Sequence, residues 1–395
     1  MTTLPKPSAE AQIQSQALTL LIQKHIAEAG GWISFAEFMQ RVLYTPCLGY
    51  YTGGAKKFGL SGDFVTAPEI SPLFAKTLAK QVAEVLANTQ IDDLSADVLE
   101  LGAGTGKLAS DLLMELETLN QLPNRYYILE VSDYLRQVQR ETLQKTLPAQ
   151  LLFLVEWLTT LPQAFIGVML GNEVLDAIPV HIIHTQIAGL HERGVAVADE
   201  RLIWQDCQML ESESLQSQHL IEVVTQLNLP NDYVTEVNLA AVGLITSLAK
   251  SLQQGVILMI DYGFSAQEYY HPQRNLGTLM CHYQHYAHTD PLIYLGLQDV
   301  TAHVDFTSIA QAGVNAGLNL SGFCSQAQFL INCGLLDLLS QVSPQDMARY
   351  APLAAAAQKL LSPAEMGDLF KVICMSKNIE WSWLGFVRGD KSYTL

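Results

Sequence analysis

The 395-residue chain carries 22 Lys plus Arg against 39 Asp plus Glu, a formal charge of −17, which excludes a basic nucleic-acid binder held by phosphate neutralisation. Apolar residues make up 49% and charged ones 15%, so the chain is no disordered or solvating segment and must bury a large core. Its length exceeds the roughly 250 to 300 residues that one hydrophobic core sustains, which predicts a main domain with a satellite.

In chain order, MTTLPKPSAEAQIQ lacks the basic-then-apolar pattern of a secretory signal and the arginines of a mitochondrial presequence, so a cytoplasmic location is expected. Residues 12–28 and 34–43 read as helices, with Ser34 as N-cap and Glu37 three positions on completing a capping box. Residues 44–70, rich in Gly, Tyr, Thr and Pro, suit an irregular loop. Ser71-Pro72 opens a further helix, in which Leu73, Leu78, Val82 and Val85 share a face.

From about 97 the chain alternates apolar runs with amphipathic stretches: DVLEL, a helix over 107–119, RYYILEV, a helix over 132–146, LLFLVEW and AFIGVML. Such alternation needs crossover connections and predicts a doubly wound, Rossmann-like α/β domain with a parallel sheet. Residues 180–238 depart from it as short alternating pieces, read as inserted antiparallel strands. The α/β pattern resumes with a helix over 239–253 and the strand GVILMID, followed by helices in QAQFLINCGLL and AAAAQKLL and a closing strand in DLFKVICMSK. No stretch approaches about 18 uninterrupted apolar residues, so no membrane span is expected.

The informative local feature is LELGAGTGKL, a strand running through Gly102, Gly104 and Gly106 into a helix. Glycines there let the backbone turn sharply and approach a ligand at the carboxyl edge of the sheet. A Walker A loop fails at Leu101 and Leu108, and the dinucleotide pattern GxGxxG fails because Lys107 stands where its third glycine belongs. An acid followed by GxGxG, with Glu100 as the acid, matches the nucleoside loop of class I S-adenosylmethionine-dependent methyltransferases. Glu130 ends the next strand, close to the roughly 20-residue offset at which an acid accepts hydrogen bonds from ribose hydroxyls. Glu156 and Trp157, closing the third strand, offer an acceptor and a ring to an adenine.

With this loop set beside GDFVTAPEISPLF (62–74), GNEVLDAIPV (171–180), IDYGF (260–264), GTLMCHYQHYAHTDPLIYLGLQDVTAHVDF (277–306) and EMGDLFKV (365–372), the sequence resembles the MidA family of class I methyltransferases. Members include a mitochondrial complex I assembly factor that methylates protein arginine. The resemblance implies S-adenosyl-L-methionine as methyl donor, a seven-stranded catalytic core and a protein substrate with an exposed arginine. Gly171 departs from the Ser or Ala usual before the Asn-Glu pair.

A cationic guanidinium needs carboxylates to orient and desolvate it. Glu173 and Asp176, following the fourth strand and separated by three, are the first choice for that work. Asn172 is grouped with the cofactor contacts, as are Asp63 and Glu69 from the N-terminal loop, which could fold over the cofactor as a lid. The family likeness singles out His285, with His303 and Asp305, as lining the substrate side; Asp261 ends the fifth strand beside the cofactor edge. His282, His285 and His288 recur every three residues without neighbouring ligands at metal spacing, and the six cysteines are scattered, so neither a metal nor a disulfide framework is expected. The chain is thus divided into an N-terminal helical and lid-loop extension (1–90), the first part of the cofactor domain (91–180), the insert (181–238), a return to the sheet (239–265), substrate-side loops and helices (266–360) and closing strands (361–395). The rival readings are a small-molecule methyltransferase with the same cofactor loop and a non-catalytic assembly chaperone; a homodimer is compatible with either.

Overall fold

The strand-helix alternation after residue 97 folds as its periodicity dictates. The computed structural model describes residues 4–53, 66–89, 96–210 and 214–395. The chain divides into two units, the first drawn from Met1–Phe64, Asp176–Ala241 and Ala266–His303, the second from Val65–Leu175, Val242–Ser265 and Val304–Leu395. The stretch 266–360, expected as one region, is therefore parted at His303.

The second unit is built on a sheet whose strands, numbered within this unit, are β1 (Asp97–Leu101), β2 (Tyr126–Leu129), β3 (Val155–Leu158), β4 (Phe165–Asn172), β5 (Leu252–Phe264), β6 (Asn319–Ser325) and β7 (Phe370–Lys377). Their spatial order is β6-β7-β5-β4-β1-β2-β3, with the two-residue strand Val304–Asp305 alongside β5. β1 to β5 run parallel, and β7 is antiparallel to both its neighbours. The run LLFLVEW, read as one strand, is parted: a short helix Ala149–Leu152 precedes β3. β6 carries no period-two signal in the sequence, because the large apolar residues of NLSGFCS, Leu320 and Phe323, are three positions apart.

Helices α1 (Ala67–Ile70), α2 (Pro72–Asn88), α3 (Lys107–Thr118) and α4 (Asp133–Thr146) belong to the same unit. The Ser71 side chain accepts from the amide of Leu73, and Leu73, Leu78, Val82 and Val85 are all buried, as the capping oxygen, Pro72 and apolar spacing require. Ser132 caps α4 through the Leu135 amide. The core joins Val98, Val168, Leu170, Val256, Leu258 and Val372 of the sheet to Leu78, Val82, Leu112 and Leu116 of the helices, each buried aliphatic side chain contributing about 1.5–3 kcal/mol.

In the first unit the insert is antiparallel, as expected. Strand Gly189–Ala198 pairs along one edge with Arg201–Gln208; its other edge pairs with His181–Gln186 and then with Trp32–Ser34, while Tyr233–Val237 joins His181–Gln186. Helices Ala9–Glu28 and Phe35–Tyr44 bury Leu18, Ile22, Ile26, Phe35 and Phe38 with Ile182 and Val195. Ser34 caps the second helix by accepting from the Glu37 amide, while the Glu37 carboxylate, expected to close a capping box, meets His25 and Arg41. A separate three-stranded sheet comprises Met280–Tyr283, Tyr286–His288 and Asp299–Thr301. No described helix is long and apolar enough to cross a membrane, and all six cysteines are free thiols.

Candidate functional site

In the second unit the chain leaves β1 toward β2 and β3 on one side, whereas β4 lies on the other side of β1. This reversal is a topological switch point, where the carboxyl ends of neighbouring parallel strands open a crevice for ligands. The glycine loop leaves β1 there, and Asn172-Glu173 leaves β4 beside it.

Gly102, Gly104 and Gly106 all have left-handed backbones, φ +60°, +52° and +84°, the region that glycine enters without steric cost. They are not equivalent. A Cβ on Gly106 would lie 3.2 Å from the backbone of Gln139, whereas one on Gly104 would meet nothing within 4 Å among the described residues. Gly106 is therefore held by packing against α4, while Gly104 borders open space.

Glu130, at the end of β2, is buried, with one carboxylate oxygen accepting from the Ser132 amide at 2.9 Å and the other from Gln139 Nε2 at 3.0 Å. Burial raises its pKa, opposed by those hydrogen bonds. Gln139 ties the site together. Its Nε2 also donates to the Gly104 carbonyl at 3.1 Å, and its Oε1 accepts from the Trp157 indole at 3.0 Å. No motif marks Gln139 in the sequence; its one signal is a glutamine between Leu135 and Leu143 in the buried stripe of α4, since a polar group there needs partners.

Glu100 is 2% exposed, and its carboxyl accepts from the Tyr126 hydroxyl at 2.6 Å. Burial pushes its pKa up to about 7, with the Tyr126 bond opposing and Glu130 adding to the rise. A carboxyl raised in the folded state favours folding while protonated, and the benefit is lost as pH climbs. Wild-type stability is therefore expected to fall between about pH 4.5 and 7, by at most about 3 kcal/mol. Glu100→Gln, which keeps an acceptor for Tyr126, should flatten that decline in urea unfolding followed across this range.

Glu69 in α1 accepts from the Thr105 hydroxyl of the glycine loop. Asp63 lies outside the described residues. Trp157 is half-buried, its N–H engaged by Gln139 and one ring face approached by Arg140 at 5.1 Å; Glu156 is exposed on the edge strand β3. The indole thus props Gln139, a role that its sequence position did not reveal.

Beyond β4, Glu173 has φ +55°, a left-handed conformation that costs a non-glycine residue about 1–2 kcal/mol and turns the chain sharply at the sheet edge. Its Oε1 accepts from Asn172 Nδ2 at 3.1 Å and from the Ala67 amide at 3.3 Å. Asn172 Oδ1 is shielded from solvent and has no hydrogen-bond partner among the described residues. Gly171 leaves room for Met259, whose sulfur would lie 2.9 Å from an added Cβ, which accounts for the departure from Ser or Ala.

Asp261, fully buried in β5, fixes this turn. One oxygen accepts from the amides of Val174 and Leu175 at 3.1 and 2.8 Å, the other from the Tyr262 amide at 2.9 Å. Asp261 thus anchors the exit of β4. Asp261→Ala removes the acceptor of three amides, at about 1–3 kcal/mol for each amide left unsatisfied. It is expected to lower the melting midpoint by about 5–10 °C in differential scanning calorimetry, with Asp261→Asn intermediate.

The remaining sequence candidates lie elsewhere in the chain. Asp305 caps the helix Phe306–Asn315, one carboxylate oxygen accepting from the Thr307 and Ser308 amides and the other from the Ser308 hydroxyl. Asp176 and His285 belong to the first unit. Asp176 is buried, and its carbonyl accepts from the Ala302 amide. His285, expected to line a substrate side, is an exposed hairpin residue: Gln284 and His285 have φ +47° and +67° between Met280–Tyr283 and Tyr286–His288, the two-residue turn that matches strand twist. His303 donates its amide to Thr278. Among the described residues no three His, Cys, Asp or Glu side chains form a metal-holding group.

The site therefore offers open space over Gly104, a buried carboxylate at ribose distance in sequence, and an unsatisfied acceptor at Asn172. These fit an adenosine-bearing group whose hydroxyls need acceptors and whose chain needs close backbone approach.

Comparison with known proteins agrees. The model of a family described as "Putative S-adenosyl-L-methionine-dependent methyltransferase" matches residues 77–324. A zebrafish (Danio rerio) relative named "Protein arginine methyltransferase NDUFAF7, mitochondrial" is 28% identical, aligned over 90% of this chain and 87% of its own. The human protein of that name is also 28% identical, over 87% and 80%. A Burkholderia thailandensis crystal structure holding S-adenosyl-homocysteine superposes with a TM-score of 0.94 at 47% identity, covering 100% of both chains.

Proposed function

The chain belongs to the S-adenosyl-L-methionine-dependent methyltransferase family matched above, and on that premise we propose that it methylates an arginine guanidino nitrogen of a protein. The observation that carries the reading is Glu173, a carboxylate held in a left-handed turn at the exit of β4, across the switch point from the glycine loop. Relatives named as protein arginine methyltransferases support the choice of acceptor.

Bound S-adenosylmethionine supplies an electrophilic methyl carbon. Glu130 accepts from its ribose, Gly104 leaves space for its backbone-close portion, and Gln139 keeps both in register through its bonds to the Gly104 carbonyl and Glu130. Gly102 and Gly106 shape the loop, while Thr105 is tied to Glu69. Methyl displacement needs chiefly alignment. Glu173 supplies it by pairing with the cationic guanidinium, localising its charge and compensating its desolvation. Asn172, bonded to Glu173, holds that carboxylate in place.

The test is transfer of tritiated methyl to a lysate from cells lacking this protein, followed by acid hydrolysis. Label recovered in methylarginine supports the reading. Label in a small metabolite, or in another amino acid, overturns it.

A further inference from the structure

The helix Ala9–Glu28 is apolar on two opposite faces. Leu18, Ile22 and Ile26, spaced by four, are buried in the first unit's core. The opposite face carries Ile13, Ala17, Leu20 and Leu21, with Ile13 69%, Leu20 60% and Leu21 49% exposed. Scattered exposed aliphatics are ordinary, but a stripe along one helix face marks an interaction surface. Positions 10, 13, 17, 20 and 24 step by three and four alternately, the spacing of a seam between paired helices.

The ends of that seam carry opposite charges, Glu10 at one and Lys24 at the other. We propose that this face packs antiparallel against the same helix of a second copy of the chain, about a two-fold axis at Ala17. That axis sets Glu10 against Lys24 of the partner and Ile13 against Leu21 of the partner, and the small Ala17 lets the backbones approach at the crossing. A two-fold interface must be self-complementary, and this face is so in both shape and charge. Among the described residues Lys24 is held otherwise by an exposed 3.7 Å pair with Glu28, which is worth little. Gln23 donates to the Glu200 carbonyl at 2.8 Å, so the flank of the helix is already fixed to the adjoining hairpin tip.

A bilayer surface is the poorer occupant. Interfacial helices carry many Lys or Arg on their polar face, whereas Lys24 is the single Lys or Arg in this helix and the chain's net charge is −17. A lone helix pair buries less than the roughly 1,200–2,000 Å² of a stable complex, so the dimer is concentration-dependent, with Kd of about 10–100 µM.

Sedimentation equilibrium of the full chain from about 1 to 500 µM tests it, a range bracketing that Kd. The expected result is a monomer-dimer equilibrium weakened at least about tenfold by Leu20→Glu, weakened less by Lys24→Glu, and restored by Glu10→Lys combined with Lys24→Glu. Circular dichroism should show all variants folded, since the substituted side chains are exposed. A wild type that stays monomeric throughout, a dimer indifferent to Leu20→Glu, or a charge swap that fails to restore association would each overturn the proposal. Leu20-dependent binding to phosphatidylcholine–phosphatidylglycerol vesicles by a monomeric chain would assign the stripe to lipid and overturn it equally. The outcome is independent of methyl transfer.

Discussion

Gly104→Val is expected to yield a folded protein that binds S-adenosyl-homocysteine at least about 100-fold more weakly than wild type. The two halves of that result have separate causes. Among the described residues nothing lies within 4 Å of the added Cβ, so folding meets the cost of a β-branched residue at φ +52°, about 1–2 kcal/mol. The isopropyl group instead fills the space over the loop, where the backbone must come close to the ligand. Gly106→Ala should fail in the opposite way. Its methyl group meets the Gln139 backbone at 3.2 Å, so the melting midpoint drops and binding falls with it. Titration calorimetry and thermal unfolding of both variants separate a lost ligand from a displaced helix. Equal stability and affinity in Gly104→Val would remove the loop from the site.

Glu173→Gln is expected to lower methyl transfer by about 100- to 1000-fold while leaving S-adenosyl-homocysteine affinity within about threefold. The amide keeps the shape of the side chain and an oxygen to accept from the Ala67 amide and Asn172, so the turn survives. What it loses is the negative charge that orients a guanidinium. A single-turnover assay with saturating cofactor reads the chemical step directly. A variant that transfers at the wild-type rate, or that loses cofactor affinity in parallel, would show that Glu173 holds the donor or the loop instead of the acceptor.

Those two residues were legible in the sequence for different reasons. The glycine loop announces itself because three left-handed positions in five residues leave few alternatives to a ligand-binding turn after a strand. Glu173 was visible only as an acid following an apolar run, and its strained backbone had no sequence signal. The α/β sheet was readable from periodicity, since AFIGVML and GVILMID are the uniform apolar runs of strands covered on both faces. Trp32–Ser34 escaped notice because three residues carry no period, and it pairs with Gly194–Ala196 from a distant segment. His285 was singled out by the family likeness and not by any periodicity, and two consecutive positive φ values place it in an exposed hairpin turn. Gln139 and Asp261 were underread because their work lies in hydrogen bonds to partners remote in sequence, which spacing alone does not report.

The bond from the Leu175 amide to Asp261 spans 86 positions, and the whole Asp176–Ala241 segment is threaded between its ends. Closing so long a loop costs entropy that grows only logarithmically, about 0.6 kcal/mol for each doubling. The intervening chain can therefore lengthen, shorten or change its surface over evolutionary time with almost no penalty transmitted to the turn that presents Glu173. Tolerance to insertion and fixity of the reactive edge thus come from one buried aspartate.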